Sequence, residues 1–247
     1  MARRRFIADE VQGSTAVLTG QNAGHLTRVL RARVGQQYEI VADRVVRLGT
    51  VRSVADDRVE FELGSEIESP LNQPFPEEGK DRAPITLVVA IFKFDRFEWA
   101  VEKATELGVA RIVPVIARRT DAHLAQAAQK RVERWRRIAH EASQQSRQVA
   151  PPEIEEPVKL KDALANQSGL KLLLAETEVE RTLRSALVGA AANSITLAVG
   201  PEGGWTEEEL QLFAKENWIS VTLGPTILRA ETAVIASLAI GTAFTNH

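Results

Sequence analysis

Residues 195–205 read I-T-L-A-V-G-P-E-G-G-W, and residues 223–233 read L-G-P-T-I-L-R-A-E-T-A. In both places an apolar run ends in a Gly-Pro turn, and charged residues and a helix-like segment follow the turn. A buried strand, a glycine loop and the start of a helix are the elements by which an α/β protein brings its backbone close to a small ligand. Because the two loops lie within about thirty residues of each other, we expect one pocket built from both.

Strands alternate with helices along the whole stretch that contains the two loops. The run 85–92 is apolar throughout, which is typical of a strand buried on both faces of a sheet. The pattern predicts further strands at 112–116, 170–175, 195–199 and 218–223, and helices at 94–107, 124–148, 182–191, 207–216 and from about residue 230. Gly108 is expected to cap the first helix, and Thr206 with Glu209 to form a capping box. This order predicts an α/β fold with a mainly parallel sheet covered on both faces.

The first 68 residues have a different pattern, in which short β segments are separated by turns. The predicted strands are 16–18, 37–42, 45–54 and 59–63, and a basic helix is predicted over 25–33. A small barrel that carries one helix fits this pattern. Residues 69–84 then contain four of the ten prolines, so we expect a linker and a domain boundary there.

The composition limits the kinds of protein that this chain can be. With 247 residues, 44% hydrophobic and 26% charged, it can bury a sizeable core, and its length predicts two domains. It contains no cysteine, which excludes disulfide bridges, thiolate metal sites and a cysteine nucleophile. The four histidines are scattered, so no metal site is predicted. Because the apolar stretches are too short for a membrane span and M-A-R-R-R-F lacks the core of a signal peptide, we expect a cytoplasmic protein without a membrane partner.

Positive charge is concentrated in two parts of the sequence, although the net charge is only −2. Residues 1–52 hold nine arginines against four acidic residues, and residues 118–147 hold eight lysines and arginines against three acidic residues. Clusters of this kind suit a phosphate backbone, but they also occur on solvated faces. On charge alone, nucleic-acid binding and an ordinary solvated surface both stay open.

The charges in the two loops disfavour a bound phosphate. The segment 200–204 lacks the Lys-Ser/Thr ending of a phosphate-binding loop, and Glu202 with the glutamates at 207–209 crowds carboxylates at a helix start. We therefore expect a neutral or cationic ligand. S-adenosylmethionine fits this expectation because its sulfonium group is positively charged. The alternative is that the loop is a purely structural turn that binds no ligand. Arg229 stands where a helix dipole favours anions, which indicates a site, and an ordinary surface pair with Glu231 is the alternative.

Several motifs stand in the order of a known family. The two loops are accompanied by K-F-D-R at 93–96, E-K-A-T-E-L-G-V at 102–109, E-A-S-Q-Q-S-R-Q-V-A-P at 141–151 and H-L-T-R-V-L-R at 25–31. With these motifs the chain resembles, over almost its whole length, the small-subunit ribosomal RNA methyltransferase E family. These are SPOUT-superfamily enzymes that use S-adenosylmethionine to methylate N3 of a uridine. One departure is Thr226, where many relatives carry arginine.

The resemblance implies an N-terminal PUA-like RNA-binding β-barrel over 1–70, a linker over 71–84 and a SPOUT methyltransferase domain over 85–247. The second domain is expected to thread a deep trefoil knot, an exception to the rule that protein chains are unknotted. Three loops of the knot would hold S-adenosylmethionine. A homodimer would bind small-subunit ribosomal RNA, free or in the assembled subunit, across both copies. The implied cofactor contacts are Leu174, Ala175, Glu176, Gly200, Pro201, Glu202, Gly203, Gly204, Leu223, Gly224, Ile227, Leu228 and Arg229.

The missing cysteine narrows the atom that could accept a methyl group. Methylation at C5 of a pyrimidine ordinarily needs a covalent thiolate adduct, so a nitrogen or oxygen acceptor remains. At N3 of uracil a proton must leave, and negative charge spreads onto O2 and O4. We assign Arg229 to stabilise that charge and Glu231, or Glu202, to accept the proton. A structural role in the loops stays open for both glutamates.

RNA phosphates are expected to contact basic residues of both domains. These are Arg3, Arg4, Arg5, His25, Arg28, Arg31 and Arg33 in the barrel, and Lys93, Arg96, Arg118, Arg119 and Arg147 in the methyltransferase domain. His25 is interpreted as a capping or structural residue rather than an acid–base group. Two other functions stay open, namely a SPOUT ribose 2′-O-methyltransferase and a non-catalytic rRNA-binding assembly factor with the same fold.

Overall fold

A computed structural model describes residues 5–67, 83–165, 167–190 and 192–244. The chain divides into two compact units. The N-terminal unit comprises Met1–Glu78 with Ser143–Ala150, and the C-terminal unit comprises Gly79–Ala142 with Pro151–His247. Of the predicted linker over 71–84, only the last two residues lie within the described part of the chain.

The N-terminal unit is built on a six-stranded sheet. Its strands are β1 (Arg5–Ile7), β2 (Glu10–Gln12), β3 (Thr15–Thr19), β4 (Gln37–Ala42), β5 (Val45–Val54) and β6 (Arg58–Glu66). Their order is β1-β4-β5-β6-β3-β2, and all neighbours are antiparallel except the parallel pair of β1 and β4. The four predicted β segments are confirmed, whereas β1 and β2 are too short and too polar to stand out in the sequence.

Between β3 and β4 lies a short helical segment rather than the single predicted helix. It consists of α1 (Gly20–Gly24) followed directly by one π-helical turn over His25–Val29. Leu26 from this turn is fully buried beside Leu18, Ile40 and Phe61 of the sheet. The basic helix predicted over 25–33 therefore ends early, at Val29. Leu26 packs into the core, as its helical spacing in the sequence indicates.

Arg5 is buried inside the N-terminal unit, with no exposed side-chain surface (0%). Its Nε donates to Glu39 Oε2 at 3.1 Å, and its Nη1 donates to the carbonyl oxygen of Arg147 at 2.6 Å. A buried guanidinium needs such partners because an unpaired buried charge is costly. The burial of Arg5 speaks against the phosphate contact expected from its sequence position. The hydrogen bond to Arg147 is one of the contacts that join the segment Ser143–Ala150 to this unit.

The C-terminal unit contains a parallel sheet. Its strands are β7 (Ile85–Ala90), β8 (Arg111–Ile116), β9 (Glu153–Ile154), β10 (Val158–Lys159), β11 (Leu170–Leu174), β12 (Ile195–Val199) and β13 (Ile219–Val221). The order is β10-β8-β7-β12-β11-β13, with β9 beside β8, and every described pairing is parallel. The predicted mainly parallel sheet is confirmed.

Helices cover both faces of this sheet. They are α2 (Phe94–Glu106), α3 (Ala122–Ala128), α4 (Val132–Gln145), α5 (Leu160–Ala165), α6 (Leu183–Leu187), α7 (Glu207–Lys215) and α8 (Ala230–Phe244). The last three residues of α4 belong to the segment Ser143–Ala150. Alternate residues of β12 enter different cores: Leu197 packs with Trp135 and Leu238 on one face, and Ala198 packs with Phe213 on the other. Burial of both faces is the physical reason for the unbroken apolar run in this strand.

Two predictions about helices have different outcomes. The single helix predicted over 124–148 is wrong, because a 3₁₀ turn (Gln129–Arg131) separates α3 from α4. The C-cap at Gly108 is confirmed: its φ is +82°, and the N–H of Val109 bonds back to Ala104. None of the helices within the described ranges has the length and apolarity needed to cross a membrane.

Candidate functional site

A cleft of about 1090 Å³ lies at the carboxyl ends of β11, β12 and β13. Parallel strands end at the same edge of a sheet, so the loops that follow these three strands meet there. The cleft is lined by twelve of the residues predicted to contact the cofactor, namely Leu174, Ala175, Glu176, Gly200, Pro201, Glu202, Gly204, Leu223, Gly224, Ile227, Leu228 and Arg229. Gly203 stands in the same loop, next to Arg119. The two glycine loops and the end of β11 therefore do build one pocket.

The loop over 200–204 leaves no space for larger side chains at its first glycine. A Cβ on Gly200 would lie 3.1 Å from Nε1 of the buried Trp205. Gly204 has a φ of +71°, and its N–H donates to the carbonyl of Pro201 at 2.8 Å, which closes a tight turn. Behind the turn, Thr206 and Glu209 form the predicted capping box of α7, which is confirmed. The backbone at the cleft is thus held in one shape by sterics and by capping.

Arg119, for which the sequence predicts an RNA contact, holds this loop in the described structure. It follows β8 and lines the cleft, and its guanidinium donates to the carbonyl oxygen of Gly203 and, at 3.5 Å, to that of Trp205. A Cβ on Gly203 would lie 3.2 Å from Cδ of Arg119, so the arginine packs directly against the glycine. Arg119 therefore supports the loop that separates β12 from α7.

Arg96 is a second arginine of the cleft that contacts the loop over 200–204. It belongs to α2, lines the cleft, and pairs with Glu202 (Nη1 to Oε1, 3.2 Å) and Glu231 (Nε to Oε1, 3.7 Å). Glu231 is buried at the start of α8, and its second oxygen, Oε2, is buried and has no hydrogen-bond partner among the described residues. Arg96 and Glu231 were assigned to RNA and to catalysis respectively, and the structure brings them together with Glu202.

Carboxylates outnumber cations in the lining of the cleft. Four glutamates (Glu176, Glu178, Glu202 and Glu207) and three arginines (Arg96, Arg119 and Arg229) line it. Hydrogen bonds from the backbone N–H groups of Arg181 and Glu180 lower the pKa of Glu178, so this carboxylate stays ionised at neutral pH. The lining agrees with the expected preference for a neutral or cationic ligand over a phosphate.

One wall of the cleft is formed by residues that the sequence did not predict to contact a ligand. It is formed by the segment between β11 and α6, including Glu178, Val179 and Thr182. This segment has no glycine signature, and the only local signal is Thr182, whose hydroxyl caps α6 by accepting from the N–H of Ser185 at 3.0 Å. Thr226, which departs from the family pattern, is exposed and lines the cleft as well.

The other residues predicted to contact RNA are distributed over both units. Arg3 and Arg4 lie outside the described residues. Exposed positions are taken by Arg28, Arg31 and Arg33 in the N-terminal unit and by Lys93 and Arg118 in the C-terminal unit, while His25 and Arg147 are half-buried. In the parts of the chain that the structure describes, no three His, Asp or Glu side chains cluster as a metal ion would require.

Comparison with known proteins relates this cleft to one family. Residues 79–241 match the family described as RNA methyltransferase domain. A ribosomal RNA small subunit methyltransferase E from Aquifex aeolicus is 30% identical over 236 residues, which cover 95% of this chain and 97% of that protein. The protein of the same name from Rickettsia conorii is 36% identical over 179 residues, covering 72% and 69%. The chain belongs to the ribosomal RNA small subunit methyltransferase E family.

Two solved structures have the same fold over nearly the whole chain. A ribosomal RNA small subunit methyltransferase E from Neisseria gonorrhoeae, bound to S-adenosylmethionine, superposes with a TM-score of 0.80 at 29% identity and 96% coverage of both chains. A methyltransferase from Legionella pneumophila, in complex with the same cofactor, has a TM-score of 0.84 at 28% identity and 98% coverage of both chains. The resemblance inferred from the motifs is thereby confirmed.

Proposed function

We propose that this protein transfers the methyl group of S-adenosylmethionine to N3 of a uridine in small-subunit ribosomal RNA. The observation that carries this proposal is the acidic cleft at the ends of β11, β12 and β13 in a member of this methyltransferase family. Two relatives of the same fold bind S-adenosylmethionine. A sulfonium is attracted to a site in which glutamates outnumber arginines, so the cofactor and the cleft are electrostatically matched.

The transfer is an in-line displacement, in which the protein mainly positions the donor and the acceptor. As the bond from carbon to N3 forms, the bond from carbon to sulfur breaks and the N3 proton leaves. Arg229 is exposed at the cleft and would stabilise the charge on O2 and O4, because a guanidinium donates without changing its protonation state. Glu202 or Glu231 would accept the proton.

The N-terminal unit is proposed to hold the RNA as a PUA-like barrel. Its six-stranded sheet and the exposed arginines Arg28, Arg31 and Arg33 support this role. We further propose domain boundaries at 1–70 and 85–247, a trefoil knot at the loops of the cleft, and a homodimer with RNA across both copies. Because ribosomal RNA is the substrate, we place the reaction in the cytoplasm.

Labelled methyl transfer tests the proposal. The protein is incubated with S-adenosylmethionine and small ribosomal subunits that lack the modification, in parallel with free ribosomal RNA. The expected product is 3-methyluridine, identified by mass spectrometry of the digested RNA. A 2′-O-methylated nucleoside would instead indicate the ribose methyltransferase.

The non-catalytic alternative is tested by binding of the cofactor alone. Calorimetry with S-adenosylmethionine should give saturable binding that Gly203→Val weakens, since a Cβ there already lies 3.2 Å from Cδ of Arg119, which holds the loop. An assembly factor without catalytic activity would bind the RNA and give no heat with the cofactor.

A further inference from the structure

We propose that Arg96 is a positioning residue that holds Glu202 as the proton acceptor, and that the buried Glu231 anchors the same guanidinium without taking the proton itself. This inference rests on the proposed function and goes beyond it, because the chemistry of methyl transfer alone leaves both glutamates possible. It also replaces the phosphate contact expected for Arg96 with a role inside the cleft.

The exposure of the two carboxylates separates their roles. The Glu202 side chain is 39% exposed and lines the cleft, so a ligand can reach its carboxylate. The Glu231 side chain is only 11% exposed, and its second oxygen, Oε2, is buried with no hydrogen-bond partner in the described part of the chain. A proton acceptor must come within hydrogen-bond reach of the proton that it removes. Glu202 is open to the cleft, where a bound uridine could reach it, whereas Glu231 is not among the residues that line the cleft.

The geometry of Arg96 suits a bridge between separate elements. Its Nη1 lies 3.2 Å from Glu202 in the loop after β12, and its Nε lies 3.7 Å from Glu231 in α8. The guanidinium presents several donors in one rigid plane, so a single arginine can hold two carboxylates at once. Lysine carries a point charge on a flexible stem and cannot reproduce that arrangement.

The burial of Glu231 gives the bridge a fixed end. A buried carboxylate requires a nearby cation, because an unpaired buried charge is strongly unfavourable. Its position in the first turn of α8 adds a favourable interaction with the helix dipole. Arg96 is therefore held in place at Glu231, and the same guanidinium orients the more exposed carboxylate of Glu202.

The proton step balances in the following way. The N3–H electron pair forms the new bond to the methyl carbon, and the carbon–sulfur bond breaks to give S-adenosylhomocysteine. The N3 proton passes to an oxygen of Glu202, which becomes neutral. Because Glu202 is partly exposed, it then releases the proton to solvent and regains its pairing with Arg96.

A double-mutant cycle tests the bridge. The variants are Arg96→Lys, Glu202→Gln and the combination of the two, and kcat is measured at saturating S-adenosylmethionine and ribosomal RNA. Glu202→Gln should lower kcat roughly 10²- to 10⁴-fold, as expected for loss of a general base. Arg96→Lys should lower kcat roughly 10- to 100-fold through misplacement of that base. The double variant should be no slower than Glu202→Gln alone, because Arg96 acts through Glu202.

Arg136→Lys is the matched control. Arg136 also bridges two glutamates, Glu133 at 2.6 Å and Glu156 at 2.9 Å, and the exposure of its side chain, 40%, is close to the 33% of Arg96. It lies on α4 and is not part of the cleft lining, so kcat should stay at the wild-type value. Glu231→Gln is a second test, and it should reduce kcat less than Glu202→Gln does.

Several results would overturn the bridge while leaving the proposed function intact. One is a double variant whose loss is the product of the two single losses. Another is an Arg96→Lys variant that keeps kcat but binds RNA more weakly, since that pattern belongs to a phosphate contact. A third is a larger loss in Glu231→Gln than in Glu202→Gln, which would exchange the two glutamate roles. Wild-type protein that makes no 3-methyluridine would instead refute the proposed function, and the bridge would fall with it.

Discussion

Replacing Arg119 with alanine should weaken binding of S-adenosylmethionine rather than binding of RNA. The side chain donates to the carbonyl of Gly203 and, at 3.5 Å, to that of Trp205, and both carbonyls belong to the loop that lines the cleft. A hydrogen bond from a charged group contributes about 1.5–3 kcal/mol. Since Arg119 is exposed and the second bond is long, we count one bond at the lower limit. The Kd for the cofactor should therefore rise about tenfold, at about 1.4 kcal/mol per factor of ten.

The neighbouring arginine provides the matched comparison. Arg118 is also exposed, and its backbone N–H donates to Glu209 at 2.7 Å, a bond that alanine retains. Arg118→Ala should leave the cofactor Kd unchanged, lower the affinity for ribosomal RNA and reduce its salt dependence by about one charge. The measurements are calorimetry with S-adenosylmethionine and RNA binding at several salt concentrations. Wild-type cofactor affinity in Arg119→Ala, together with weaker RNA binding, would refute the assignment of Arg119 to the loop.

Three further predictions concern single residues of the cleft. Gly200→Ala places a Cβ 3.1 Å from Nε1 of Trp205 and should cost about 1–3 kcal/mol of stability, and a melting temperature equal to that of the wild type would contradict this. Arg229→Ala should lower the single-turnover rate at saturating cofactor roughly 10²- to 10³-fold, and near-normal turnover would exclude its role in charge stabilisation. The pKa of Glu178 is lowered from 4.5 by backbone N–H groups, so its contribution to folding is present above about pH 4.5 and lost as the pH falls through the lowered pKa. Glu178→Gln should reduce the loss of thermal stability between about pH 5 and 3, and an unchanged pH dependence would show that the interaction contributes nothing.

The sequence was a good guide to the C-terminal sheet because its signals are local. The apolar runs of β7 and β12 reflect burial on both faces, and the Gly-Pro turns mark the ends of β12 and β13. Thr206 and Glu209 stand at the spacing of a capping box, which needs only four consecutive residues. Features of this kind depend on neighbours in sequence and were predicted correctly.

The partners of the arginines could not be predicted in the same way. The basic stretches predict phosphate contacts for Arg5 and Arg119, and the family motif at 93–96 predicts one for Arg96. Their partners are separated from them by 34, 106 and 84 residues respectively, and no local pattern encodes these distances. The break between α3 and α4 was missed for a related reason, since each half has good helical spacing and the 3₁₀ turn has no proline or glycine to mark it.

The contact between Arg5 and Arg147 sets an order of events during synthesis. Arg5 leaves the ribosome early with its ionic partner Glu39, but the carbonyl that completes its hydrogen bonds follows 142 residues later. At about 5–20 residues per second, that interval is roughly 7–30 s. The N-terminal unit therefore emerges first and is finished only after part of the following unit has been made. A fragment that stops before residue 143 lacks the carbonyl that completes the hydrogen bonds of Arg5, so a separately made N-terminal unit has to include Ser143–Ala150.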